Sequence, residues 1–341
     1  MPVISLELCG VPAFITATSA QVIEVIADYF RYYRPHISDS LPASSSALTI
    51  GLEGCKSLPD ATALTRSGAE MLAQWEVMQL WRTPQSPESF ILLTPDALIS
   101  IEPQAARATG QLTPQATEVA HTLVYVTLLL LLRTRGIYHL HAAAVLSPEN
   151  ELFVICGEPK AGKTTLATAL GLAGWKPLAD DALLIYQGES GPQLQAFRRS
   201  FHLSNDILEQ WPELNGIAKH QRTPLRTWTS GLEFFDAVRL AESDFNRIDY
   251  ILLPQISPDE RTHVEPVSRS AAVFRLAQQS MFFQFWPEHT RRQMKLLGAL
   301  AGRASCLSFQ SGRDLLADPQ RAAQVLSAKP AAPVPPSAAP E

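Results

Sequence analysis

The chain has 341 residues, a formal net charge of -5 and a pI of about 5.9, with 46% hydrophobic and 18% charged residues. That balance is ordinary for a globular chain of two structural units, and the missing basic excess argues against a protein that coats nucleic acid. The cysteines Cys9, Cys55, Cys156 and Cys306 stand far apart, so neither a zinc spacing nor a disulfide framework can be read, which fits a reduced, cytoplasmic compartment.

The N-terminal MPVISLELCG lacks a basic segment and a long apolar run, so no signal peptide is expected. VISLEL and ALTIGL have strand character, and AQVIEVIADYFRYY carries apolar residues at helical spacing. Between Trp75 and Ile101, short apolar runs alternate with turn signals (PQSPE, TPDA), as in a meander. We read residues 1–112 as a mixed α/β domain. LTPQATEVAHTLVYVTLLLLLRTRG then predicts a helix, capped by Thr113 with Pro114 at its first position and closed by Gly136, at the junction with the second domain. Its ten-residue apolar core Leu123–Leu132 falls short of the roughly 20 residues a membrane span needs, so a buried helix and no membrane are expected.

From Ile137 the pattern changes to buried strands. YHLHAAAVL and ELFVIC are separated by the turn SPEN, a helix follows at 163–173, and ADDALLIY, QAFRRSF and YILLP read as further strands. RSAAVFRLAQQS and PEHTRRQMKLLGALAGR predict two late helices, and the Ala/Pro-rich tail 329–341 predicts disorder. The second domain is thus 113–328, and the fold class is α/β.

The stretch GEPKAGKT comprises Gly157, Glu158, Pro159, Lys160, Ala161, Gly162, Lys163 and Thr164, and fits G-x-x-x-x-G-K-[ST]. The glycines let backbone N–H groups turn inward on phosphate oxygens, and the helix start adds the positive end of its dipole. Lys163 supplies a charge for the β- and γ-phosphates of ATP, and Thr164 a hydroxyl for Mg²⁺. LFVIC before it and TTLATALGLAG after it supply the strand and helix this loop requires. Two more features bear on phosphate transfer. Asp180 and Asp181 open the next predicted strand, so one could face the phosphates as a base or metal ligand; the same pair reads equally as a polar turn. His139 and His141 alternate on one predicted strand and so share a face, which is also where satisfied core histidines occur.

HAAAVLSPENELFVICGEPKAGKTTLATALGLAGWKPLADD resembles the core of HPr kinase/phosphorylase and its relatives: a histidine on the strand before the loop, the loop, a short helix and a turn ending in Asp-Asp. The interval Gly157–Asp180 matches the family's spacing without a gap, and His141 fits the family histidine better than His139. The close likeness covers about 40 residues, and a looser one in element order reaches about residue 327. It implies a P-loop kinase core of the type shared with phosphoenolpyruvate carboxykinase, and transfer of the γ-phosphate of ATP to a serine hydroxyl of a protein or peptide. It further implies Lys163 and the loop, with Thr165 following, on the nucleotide; Thr164 and Asp181 at Mg²⁺; Asp180 as general base; His141 beside the phosphates; and a homo-oligomer. The chain departs from the family in carrying Thr165 where a glutamate usually stands, and QAFRRSFHL in place of Glu-x-Arg-Gly, which leaves a second metal ligand and a phosphorylase activity without residues. A nucleotide-binding regulator with little catalysis, or a small-molecule kinase, are the competing readings. Arg198 and Arg199, one on each sheet face, and Lys219, Arg222 and Arg226 are further candidates for phosphate or substrate contact.

Overall fold

A computed structural model of the chain describes residues 1–40, 46–59, 61–75, 77–84, 86–197, 200–216, 221–222, 226–230, 245, 247–283 and 285–328. It is a mixed α/β structure that divides into Met1–Ile137 and Tyr138–Glu341.

In the first unit β1 (Val3–Leu8) and β2 (Val11–Ala17) form a hairpin, turned at Cys9 and Gly10, both with positive φ. Helix α1 (Ala20–Tyr29) begins where the Ser19 side chain accepts the Val22 N–H at 3.4 Å, and stops before a 3₁₀ turn at Arg31–Tyr33, shorter than its apolar spacing predicts. The strands β3 (His36–Ser38), β4 (Leu48–Gly54), β5 (Glu70–Trp75), β6 (Met78–Thr83), β7 (Ser86–Thr94), β8 (Ala97–Glu102) and β9 (Arg107–Leu112) complete a nine-stranded sheet in the order β3-β1-β2-β4-β9-β8-β7-β6-β5. β2, β4 and β9 are parallel neighbours, and β5 to β9 are the expected meander with one strand more at each end. Ladder register puts Ile15, Ile50, Ala108 and Ile101 on one fully buried face. On the other face α2 (Ala61–Arg66) sets Leu64 against Trp81 and Leu93.

The apolar stretch at 112–136 departs from the expected helix in two ways. Residues Pro114–Val119 form a 3₁₀ turn, and the α-helix α3 spans Ala120–Arg133. Thr113 makes no side-chain cap; its hydroxyl donates to Asp96 Oδ1 at 3.1 Å, because the loop before β8 offers a carboxylate within reach. The boundary also lies at Ile137 rather than 112, since α3 packs on α1 through the rings of Tyr29, His121 and Tyr125. Among the described residues Pro114–Arg133 is the one helical stretch long and apolar enough to cross a membrane, and 61% of its apolar 18-residue window is buried.

The second unit is built on a six-stranded sheet, β13-β11-β12-β19-β21-β20. Its strands are β11 (Ala142–Leu146), β12 (Leu152–Cys156), β13 (Lys176–Ala179), β19 (Tyr250–Ile256), β20 (His263–Pro266) and β21 (Ser305–Ser311). β12, β19 and β21 are parallel, and β11 is antiparallel to β12 and β13. A three-stranded sheet of β10 (Tyr138–Leu140), β14 (Leu183–Gly188) and β15 (Gly191–Ala196) lies against one face; β16 (Ser200–Ser204), β18 (Arg226–Ser230) and β17 (Gln221–Arg222) make another. Alternation along each strand sorts the core into two layers. Ala142, Ala144, Val154, Cys156, Ile251 and Leu253 face β10, β14, β15 and the helices α6 (Arg269–Gln278) and α7 (Pro287–Arg303). Ala143, Val145, Phe153, Ile155, Tyr250 and Leu252 face α4 (Lys163–Leu172), α5 (Asn205–Gln210), α8 (Arg313–Ala317) and α9 (Gln320–Ser327). Phe153 stacks on Tyr250 at 4.5 Å and meets Trp175 at 4.8 Å; such ring pairs add about 0.5–1.5 kcal/mol each beyond burial.

Two expectations are corrected here. YHLHAAAVL is not one strand: the chain leaves the small sheet at Leu140 and enters the large one at Ala142, so His139 and His141 do not share a strand face. At the break the His141 N–H donates to Gln279 O at 2.8 Å instead of to a ladder partner. Asp180 and Asp181 do not open a strand either; they form the turn between β13 and β14, with Asp181 at φ 66°. Arg198, Arg199, Lys219 and the tail lie outside the described residues, while Arg222 and Arg226 fall on β17 and β18.

Candidate functional site

Three chain crossings meet at one edge of the six-stranded sheet, and antiparallel pairing is the reason. β12 and β13 both end there, while β11, running the other way, begins there. Ala142 pairs with Cys156, so His141 stands beside Gly157, the first residue of the loop; Ala144 pairs with Ala179, so Asp180 follows at the same edge. A histidine, a glycine loop and an acid pair spread over 40 residues are thus neighbours in space.

The loop runs from β12 into α4 as the motif demands. Lys160 (φ 67°) and Gly162 (φ 93°) both take left-handed backbone, and Gly162 is the N-cap of α4. Glycine adopts this freely, whereas Lys160 carries a cost of about 1–2 kcal/mol that its neighbours must offset. Gly157 is closely packed: a Cβ there would lie 3.3 Å from Ala161 Cβ and 3.4 Å from the Pro254 ring, so that a side chain fits only if these neighbours give by a few tenths of an ångström. The Ala161 N–H closes the turn on Glu158 O at 3.1 Å, with Pro159 inside it, and Thr165 follows Thr164 in the first turn of α4.

Lys163 is buried, and its ammonium donates to Gly157 O at 2.9 Å and Glu158 O at 3.2 Å. Burial lowers its pKa below the ordinary lysine value, against the opposing pull of Asp181, Cys156 and Asp180 in that order. The Thr164 hydroxyl lies 3.0 and 3.1 Å from the two oxygens of Asp180, a fully buried residue, so the threonine meets Asp180 and not Asp181. Asp181 is the open member of the pair, with its side chain 21% exposed. Its carbonyl lies 2.9 Å from His141 Nδ1, which therefore carries the proton of that hydrogen bond, and its Oδ1 lies 3.8 Å from Nε2. His139 is remote in chemistry if not in sequence: burial first, and His141 second, push its pKa down to about 3. Cys156, buried at the end of β12, has its thiol pushed up to about 12 by burial, countered by Lys163 and Arg275.

The residues expected from the motif and the resemblance, Gly157 to Thr165, Asp180, Asp181 and His141, are thus gathered at one edge. One was missed. Arg275 of α6 reaches across to Glu158 and forms an ion pair with its carboxylate. Its one sequence signal, the second of two arginines in RSAAVFRLAQQS, is indistinguishable from a solvated helix position. Among the described residues no group of three or more His, Cys, Asp and Glu gathers as a metal site.

The first unit holds a separate cavity of about 410 Å³ at the carboxyl ends of β2, β4 and β9. Its hydroxyls are turned onto the chain itself. Thr18 accepts the Gly54 N–H at 3.0 Å, Ser19 caps α1, Thr113 holds Asp96, and Thr117 donates to Pro114 O at 2.9 Å. None of the expected site residues lines it.

In comparison with known proteins, the chain matches no family model and no curated protein.

Proposed function

We propose that this chain is an ATP-dependent phosphotransferase with a P-loop kinase core, moving the γ-phosphate to a serine hydroxyl of a protein or peptide. The observation that carries the reading is the Thr164–Asp180 pair, at 3.0 and 3.1 Å, beside a buried lysine in a G-x-x-x-x-G-K-T loop. The identity of the acceptor rests on the resemblance to HPr kinase alone.

The residues present fit ATP and Mg²⁺. A buried ammonium held within its own loop and a glycine in left-handed backbone, Gly162, at the start of α4 fit a loop that turns its N–H groups on phosphate. A hydroxyl and a carboxylate side by side are hard oxygen donors of the kind Mg²⁺ takes, its other ligands being phosphate and water. Bound there, Mg²⁺ would neutralise charge on the phosphates. The loop N–H groups and Lys163 would hold the β- and γ-phosphates in line with the acceptor. The acceptor oxygen forms the new P–O bond as the bond to ADP breaks, and its proton passes to a carboxylate of the Asp pair. His141 is fixed through Nδ1 by the Asp181 carbonyl, and its Nε2 stands 3.8 Å from the Asp181 carboxylate, an attraction only in the protonated imidazolium.

The resemblance makes Asp180 the base and places Asp181 at the metal. Burial favours a second reading with the roles exchanged. Asp180 is closed off and bonded to Thr164, which suits a metal ligand, whereas Asp181 is open to an incoming alcohol. Asp180→Asn and Asp181→Asn separate them. On the first reading Asp180→Asn keeps nucleotide binding and loses transfer by about 10²–10⁴-fold; on the second, Asp181→Asn does so, and Asp180→Asn loses Mg²⁺-dependent binding. The activity itself is tested by incubating the full chain with γ-labelled ATP, Mg²⁺ and lysate. Label in protein or peptide supports the proposal, label in metabolites points to a small-molecule kinase, and bound but unspent ATP points to a regulator.

A further inference from the structure

The loop has an internal conflict. A site for a polyanion carries a carboxylate, Glu158, at its second position, and like charges at such range repel. The carboxylate is answered by Arg275, which arrives from the opposite layer of the unit: α4 continues the loop on one face of the sheet, while α6 lies on the other. Two cations converge on one residue, since Lys163 donates to the Glu158 carbonyl and Arg275 pairs with its carboxylate.

The base of Arg275 is fixed close to the loop. The Gln279 carbonyl, one turn on, accepts the His141 N–H at 2.8 Å, and the Arg275 carbonyl lies 4.0 Å from Sγ of Cys156, the residue just before Gly157. A change of partner therefore needs only the side chain to move. Its second partner is weak: Gln278 Oε1, at 3.4 Å on the same helix. The pair is also partly open, with 34% of the Arg275 and 60% of the Glu158 side chain exposed, where an ion pair of its own contributes little to stability. A terminal phosphate offers a guanidinium more charge and a bidentate geometry.

Building on the phosphotransferase reading, we propose that Arg275 is a phosphate-binding residue held off by Glu158, and that it exchanges the Glu158 carboxylate for the terminal phosphate of a bound nucleoside triphosphate. Glu158 is then a built-in competitor that weakens the loop's affinity for triphosphate, and Arg275 is what distinguishes triphosphate from diphosphate.

The test uses the full chain with ATP and ADP in the presence of Mg²⁺, with affinities measured by calorimetry and thermal melting recorded alongside. Arg275→Ala is expected to weaken ATP about tenfold or more and ADP much less. Arg275→Gln, which keeps the length of the side chain, covers the case in which the alanine variant fails to fold. Glu158→Gln is expected to strengthen ATP several-fold, and by clearly less when Arg275 is already alanine, a coupling that charge repulsion by Glu158 alone would not give. Equal weakening of ATP and ADP by both single variants, or no effect on either, would overturn the proposal and leave a strut between α6 and the loop. Wild-type protein that binds neither nucleotide removes both the phosphotransferase reading and this one. Wild-type protein that binds ATP with the expected pattern and never transfers phosphate removes only the kinase.

Discussion

Lys163, His141 and His139 show how far one side chain's chemistry depends on where the backbone leaves it. Lys163 is buried, and its ammonium donates to two carbonyls of its own loop. Phosphate oxygens carrying full charge would be stronger acceptors than those carbonyls. The two histidines differ by two residues in sequence and by everything in environment. His141 is half-buried at the edge; His139 sits opposite Leu184 in a small buried sheet, where burial, then His141, lowers its pKa to about 3. An unfolded histidine titrates near 6.5, so between about pH 6.5 and 3 the unfolded chain binds a proton that the folded chain refuses. Stability from this group is therefore full above pH 6.5 and falls as pH drops, by up to a few kcal/mol at pH 3. Urea unfolding of the full chain at pH 7 and pH 4 should show that loss, and His139→Leu should reduce it. An equal loss in the variant would assign the acid sensitivity to other groups.

Elements differ in how openly the sequence declares them. β12, the loop and α4 are legible because an apolar run, a glycine motif and helix formers each specify one local answer and agree. The strand through His139 and His141 was not legible, since alternation continues unbroken across residues that belong to two sheets. What divides them is a hydrogen bond from His141 N to Gln279, far along the chain. The Asp180–Asp181 pair, which the sequence leaves open between a strand start and a polar turn, is a turn because Asp181 adopts left-handed backbone, which aspartate tolerates but does not announce. Packing adds a further constraint in β9, where a Cβ on Gly110 would come within 2.7 Å of Leu52 Cδ2 and 3.0 Å of Ile99 Cγ1. Gly110→Ala should lower stability by about 1–3 kcal/mol in denaturant unfolding, because both neighbours are themselves fully buried. A change under about 0.5 kcal/mol would mean that the face has slack that its burial does not suggest.

At the scale of the whole molecule the chain is two cores. The first is a nine-stranded sheet with its own helices; the second holds the candidate site between two layers of packing. A ligand that binds only the second stabilises that unit by mass action, about 2.7 kcal/mol at 100 times its Kd. Calorimetric melting with and without Mg²⁺ and ATP should therefore raise one transition and leave the other in place, and a shift of neither would mean that the loop does not bind nucleotide. The sequence by itself determined the α/β class and the loop with its lysine and threonine, because periodicity and motif are local properties of the chain; His141, Asp180 and Asp181 stand out as candidates through the resemblance to HPr kinase, not through spacing. Only the tertiary structure decided that α3 belongs to the first unit, that Asp180 rather than Asp181 meets Thr164, and that Arg275 reaches Glu158. Each of those depends on strand register or on a contact more than ten residues away, and no local pattern encodes which distant partner a side chain will meet.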